Sequence, residues 1–110
     1  MNPLQVCPHL QYAFQILGKK WNGMLVHYLS IQPNYSAHFS QMKRDLSEIT
    51  ARALSMKLQE LIEFGLLEKH VSSGTPIVIT YCLTEKGIEL SHSLAPIQQW
   101  AAKYNNEGME

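Results

Sequence analysis

The chain has 110 residues, 45% of them hydrophobic, and its nine Lys and Arg balance nine Asp and Glu for a formal net charge of zero. That length fits one domain over 1–110, and a domain of this size buries only about two-thirds of its unfolded surface, so pairing with a second copy would add stability. No apolar run reaches the roughly 18 residues of a membrane span, and Met1-Asn2-Pro3-Leu4-Gln5 lacks the regions of a secretory signal, so a soluble cytoplasmic protein is expected, with no membrane partner.

Cys7-Pro8 opens a first helix over about 8–18. Proline suits the first helical position, where its missing N–H would be unpaired anyway. Leu10, Ala13, Phe14 and Leu17 recur at helical spacing, and Gly18 ends the helix with Lys19 and Lys20 at its negative end. A second helix, about 22–29, buries Leu25, Val26 and Leu29 and is broken by Pro33-Asn34. Phe39, Met42, Leu46 and Ile49 mark a short third helix and its turn. Thr50 caps a fourth helix with a buried stripe of Leu54, Leu58, Leu61 and Ile62, and Gly65 closes it in a left-handed conformation. Residues 66–71 read as a strand, Ser72-Ser73-Gly74-Thr75-Pro76 as a turn and 77–83 as the returning strand. On alternation, Cys82 shares a face with Val78 and Thr80, opposite Tyr81 and Leu83. Thr84 caps a long last helix over 85–104, striped by Leu90, Leu94, Ile97, Ala101 and Tyr104, and Pro96 should bend or divide it. With Trp100, this stripe exceeds what a small core needs; it reads as a dimer surface, and folding back on its own domain is the alternative.

Two helices across a tight turn, followed directly by a hairpin, form the winged helix-turn-helix order. The fold class is therefore mainly α (α+β), with the helix-turn-helix at about 36–64 and a wing of two to three strands centred on the hairpin at 66–83. The helices at 8–18 and 85–104 are left for dimerisation. The charge pattern fits: Lys19 to Lys57 holds six bases against two acids, a net +4, whereas Leu58 onward holds three bases against seven acids, a net −4. Such segregation sets a basic region against a polyanion.

Enzymatic parts are lacking. There is no nucleophile elbow, phosphate loop or metal-ligand spacing, and the five histidines form no HxxxH pair. Cys7 and Cys82 are too few for a disulfide scaffold and make no CxxC, so neither a metal nor a cofactor is expected.

Several segments, in order, carry a family likeness: Cys7-Pro8; Leu17-Gly18-Lys19-Lys20-Trp21; Phe39-Ser40-Gln41-Met42; Ile49-Thr50 through Leu54, Leu58, Leu61 and Gly65-Leu66; Pro76; Tyr81-Cys82-Leu83-Thr84-Glu85-Lys86-Gly87; and Trp100. Over about Cys7 to Trp100 the chain resembles the HxlR-type bacterial winged-helix regulators, a branch related to the MarR group. It departs from them in extra residues at Asn34 to His38, in His38 where a basic residue often precedes the phenylalanine, and in a wing tip, Ser72-Ser73-Gly74, without arginine.

The resemblance implies a homodimeric regulator, a repressor, on double-stranded DNA with an inverted-repeat operator. A recognition helix turns small or polar side chains into the major groove, and Thr50, Arg52, Ala53, Ser55, Met56, Lys57 and Gln59 alternate with the buried leucines. Arg52 suits a guanine contact or phosphate clamp, and Ser55 and Gln59 suit base edges. Lys57, Lys43 and Arg44 suit phosphates, with Ser73 at the wing tip. At a helix N-cap, Cys7 would meet unpaired N–H groups that favour a thiolate. A branch of the resembled family with cysteine here senses quinones, electrophiles or oxidants, which makes Cys7 the candidate redox sensor. Cys82 is the second thiol, read first as a passive strand residue, and an intersubunit Cys7–Cys82 bridge stays open. Two alternatives remain: a regulator controlled by a small apolar ligand, lined by Tyr12, Phe14, Trp21 and Trp100, and a protein-interaction module that has lost DNA binding.

Overall fold

The computed structural model describes residues 5–105. Its elements run α1 (Pro8–Leu17), α2 (Asn22–Ser30), a 3-10 turn (Pro33–Tyr35), β1 (Ser36–His38), α3 (Phe39–Asp45), α4 (Ala51–Glu63), β2 (Leu67–Val71), β3 (Ile79–Leu83) and α5 (Glu85–Tyr104). Cys7 is the N-cap of α1 and Pro8 its first residue. At α4 the Thr50 hydroxyl oxygen accepts from the Ala53 N–H at 3.1 Å, pairing one of the four donors that a helix start leaves free. Gly65 follows α4 at φ +78°. There the Leu66 N–H reaches the Leu61 carbonyl at 2.9 Å and the Gly65 N–H reaches the Ile62 carbonyl at 2.8 Å. This double closure needs a left-handed residue, which glycine supplies without a Cβ penalty.

The strands form one antiparallel sheet in the order β1-β3-β2. Ala37 stands opposite Tyr81, and Leu67 opposite Leu83. The core gathers Leu25, Val26 and Leu29 of α2, Met42 of α3, and Leu54, Leu58 and Leu61 of α4, sealed by Leu66, Tyr81 and Leu83. Thr84 joins α4 to α5: its hydroxyl donates to the Gly65 carbonyl at 2.6 Å and accepts from the Gly87 N–H at 3.2 Å. Its own N–H donates to the Leu66 carbonyl at 3.0 Å.

Several local expectations are adjusted. The residues from Asn34 to His38 are not a plain insertion: Ser36–His38 is a sheet strand, which makes the wing three-stranded. The hairpin strands begin at Leu67 and Ile79, later than the apolar runs begin. Pro96 does not divide α5, which runs unbroken from Glu85 to Tyr104. In α1 the buried residue is Ile16, whereas Leu10 and Phe14 of the expected stripe are exposed. The first half of α5 lays Ile88, Leu90 and Leu94 against the core, while Ile97, Trp100 and Tyr104 stand in solvent.

Candidate nucleic-acid interface

Helical periodicity sorts α4 into two faces. Leu54, Leu58 and Leu61 are wholly buried, and Arg52, Ser55, Met56 and Gln59 lie outside. The outer face and Ala51 form one wall of a shallow groove of about 850 Å³, and the other wall is Phe39, Lys69 and Tyr81. Phe39 and Tyr81 pack with ring centroids 6.5 Å apart, a firm floor between helix and wing. The structure thus brings Arg52, Ser55 and Gln59 together on one open face, where the Gln59 amide also donates to Glu63 at 3.4 Å.

Lys69 is not among the residues the sequence singles out, because it falls in the acidic part of the chain. Register explains its place: it stands opposite Tyr81 on the edge strand β2. Glu68 and His70, on the opposite face, pair with each other at 3.3 Å. The legible signal was a lone base at an alternating position on the strand that follows α4.

Lys57 is placed elsewhere. Its Nζ lies 3.7 Å from Glu60 Oε2, and Lys19 Nζ lies 3.1 Å from Glu60 Oε1. Asn22, wholly buried, donates from Nδ2 to the same Oε1 at 3.2 Å and to the Ile16 carbonyl at 2.9 Å. The Lys19 hydrogen bond foremost, with help from Asn22 and Lys57, holds the Glu60 carboxyl below the usual carboxylate range. This cluster ties the end of α1 to the last turns of α4, and Asn22 Oδ1 is left without a partner inside it.

On α3, Lys43 is half-exposed and Arg44 exposed, with Arg44 Nε 3.5 Å from Asp45 Oδ1. The Tyr28 hydroxyl donates to Asp45 Oδ2 at 2.6 Å, fastening α3 to α2. Burial and that bond push Tyr28 up to about 12, and the same bond lowers Asp45. Ser73 is exposed at the wing tip, within a turn that the Ser72 hydroxyl braces by accepting from the Val78 N–H at 2.8 Å. The hydroxyl oxygen of Thr50 serves as the helix cap.

Both cysteines are free thiols. Cys7 is exposed, and its side chain makes no capping bond. Cys82 is half-buried on the central strand, its Sγ 3.7 Å from the Asn34 carbonyl and 3.5 Å from that of Leu83. A second groove, about 580 Å³, lies between α1, α2 and α5 and is lined by Phe14, Trp21, Met24, Leu94 and Ile97, among others. Tyr12 and Trp100 do not line it. Tyr12 accepts instead from Lys86 Nζ at 2.7 Å, and the same ammonium donates to the Phe64 carbonyl at 2.6 Å. Trp100 packs on Tyr104 with centroids 5.7 Å apart. Among the described residues, no three His, Cys, Asp or Glu cluster as metal ligands, and no helix is long and apolar enough to cross a membrane.

The family profile described as HxlR-like helix-turn-helix matches residues 16–109. The HTH-type transcriptional regulator YodB of Bacillus subtilis is 33% identical over 103 residues, which cover 94% of this chain and 89% of YodB. The uncharacterized HTH-type transcriptional regulator YvaP of the same organism is 36% identical over 104 residues, covering 94% of each chain. Among solved structures, the reduced form of YodB superposes with a TM-score of 0.78 at 32% identity, covering 91% of this chain and 95% of that one. YodB has also been solved quinone-bound, with a TM-score of 0.75, 31% identity, and coverage of 89% of this chain and 100% of that one. The redox regulator HypR in its oxidized form reaches 0.77 at 28% identity, covering 88% of this chain and 96% of HypR. The chain therefore belongs to the HxlR-like helix-turn-helix family, and it is a DNA-binding transcriptional regulator rather than an enzyme.

Proposed function

We propose that this regulator is a homodimeric repressor inside the cell, released from an inverted-repeat operator when the thiol of Cys7 is modified by a quinone, another electrophile or an oxidant. The observation that carries the reading is the exposed, unbonded Cys7 side chain at the head of α1, in a chain similar to a regulator that has been solved quinone-bound and diamide-treated. Exposed Leu10 and Phe14 on α1, with Ile97, Trp100 and Tyr104 on α5, supply the apolar surface that a second copy would cover. An adduct or intersubunit disulfide at Cys7 would then bias the dimer between two spacings of its recognition helices.

On the DNA side, Arg52, Ser55 and Gln59 face base edges or adjacent phosphates, while Lys43, Arg44, Lys69 and Ser73 hold the backbone. Thr50 fixes the start of the helix, and Lys57 acts through Glu60. Cys82, half-buried on the central strand, is the second thiol and the partner that an intersubunit Cys7–Cys82 bridge would use. The test is operator binding by reduced wild type and Cys7→Ser, each titrated with benzoquinone and with diamide. Release of wild type alone supports the thiol switch. Release of both, or of neither, refutes Cys7 as the sensor and leaves DNA binding standing. The groove between α1, α2 and α5 favours a second reading, control by a small apolar ligand. That reading predicts inducer release that survives Cys7→Ser.

A further inference from the structure

Met56 is 62% exposed. It lies on the outer face of α4, in the groove it shares with Arg52, Ser55 and Gln59, and no residue of α1 or α5 lines that groove. The inner face of α4 is filled by leucines, so the fold gives Met56 no packing task. An apolar side chain set among polar ones on an open helix face is available to a small apolar group on whatever this face binds. The cations beside it, Arg52 on the helix and Lys69 on the wing, would draw a polyanion onto this face. Along the major groove of a duplex the base edges carry donors, acceptors and one apolar group, the 5-methyl of thymine. A thioether on an unbranched, polarisable stem adapts to such a small target.

We infer that Met56 reads thymine, seating its thioether against the 5-methyl group in the major groove. It stands one helical turn beyond Arg52, about 6 Å along the helix axis, so the thymine and the pair that Arg52 addresses are different base pairs of one half-site. The inference rests on α4 being the helix that enters the groove. Burying one methyl contributes about fourfold in affinity.

The experiment starts from duplexes that wild type selects out of a random library, resynthesised with deoxyuridine in place of each thymidine in turn and titrated at fixed salt. Wild type should lose about fourfold at one position per half-site. Met56→Ala should bind the thymine and uracil duplexes alike, and Met56→Leu should restore the preference. Indifference of wild type to every replacement overturns the inference, as does undiminished discrimination by Met56→Ala. Failure of wild type to select any duplex overturns DNA binding itself, a separate outcome.

Discussion

The buried Asn22 offers a quantitative test of what ties α1 to α4. Its amide donates to the Ile16 carbonyl at 2.9 Å and to Glu60 at 3.2 Å, from a position with no solvent exposure. Replacing it by alanine removes one neutral hydrogen bond, about 1 kcal/mol, and one to a carboxylate, about 1.5–3 kcal/mol. The loss is offset because the unpartnered Oδ1 goes too, relieving about 1–3 kcal/mol. Glu60 also keeps both lysines. The net cost of Asn22→Ala should be about 1–2 kcal/mol. Asn22→Asp has nearly the same shape but no donor, and it sets a second carboxylate against Glu60 and a carbonyl. Leaving such a buried charge uncompensated costs about 3–5 kcal/mol. At pH 7 the aspartate variant should therefore melt about 10 °C or more below the alanine variant, given about 4–8 °C per kcal/mol for domains near this size. The new carboxyl would have a raised folded pKa. Its penalty is thus absent below the unfolded value and grows as pH rises through the folded one, so the gap should narrow near pH 4. Thermal melts of the three proteins at pH 4 and 7 decide it. An aspartate variant as stable as the alanine variant at pH 7 refutes the donor role assigned to Asn22.

Three further expectations concern other joints. A Cβ on Gly87 would run into the Leu66 carbonyl oxygen, so Gly87→Ala should cost about 1–3 kcal/mol in urea denaturation; an unchanged midpoint removes that close approach from the account. Asp45 contributes stability above its ordinary pKa that is lost as pH falls through its lowered folded value, and Tyr28 contributes stability that is lost as pH rises from 10.0 towards about 12. Tyr28→Phe should shrink both losses in urea midpoints measured across pH, with buried Tyr81, also raised by desolvation, keeping part of the alkaline one. Lys69→Ala should weaken DNA binding and reduce the slope of log affinity against log salt by about 1, and an unchanged slope places Lys69 off the phosphates.

The elements legible in the sequence are those with a local cause. Pro8, Thr50, Gly65 and Thr84 each satisfy or free backbone groups within a few residues, and the structure uses each as sequence suggests. β1 escaped because three residues carry no period. Ser36–His38 is a strand only because Ala37 meets Tyr81, 44 positions on. Lys57 shows a similar limit at the candidate site: its helix position suits a phosphate contact, but Glu60 one turn on and Lys19 far back in the chain decide where it points. Lys69 is the converse, brought to the groove that Arg52 lines by strand register that its own neighbours do not reveal.

The joint at the end of α4 has a geometric consequence. The Phe64, Gly65 and Leu66 carbonyls are each held by a donor from Thr84 or Lys86. No slack loop intervenes, so α4 and the first turn of α5 are fixed to each other, and with Leu54, Leu58 and Leu61 in the core α4 moves only with its whole domain, as an arm measured from Gly65. The 13 residues of α4 make that arm about 20 Å long. A rotation of the domain by only about 10° about that end swings the far tip, at Thr50, through about 3.5 Å, close to the roughly 3.4 Å between successive base pairs. A modest turn of the domain is enough to shift the tip of α4 by about the spacing of one base pair.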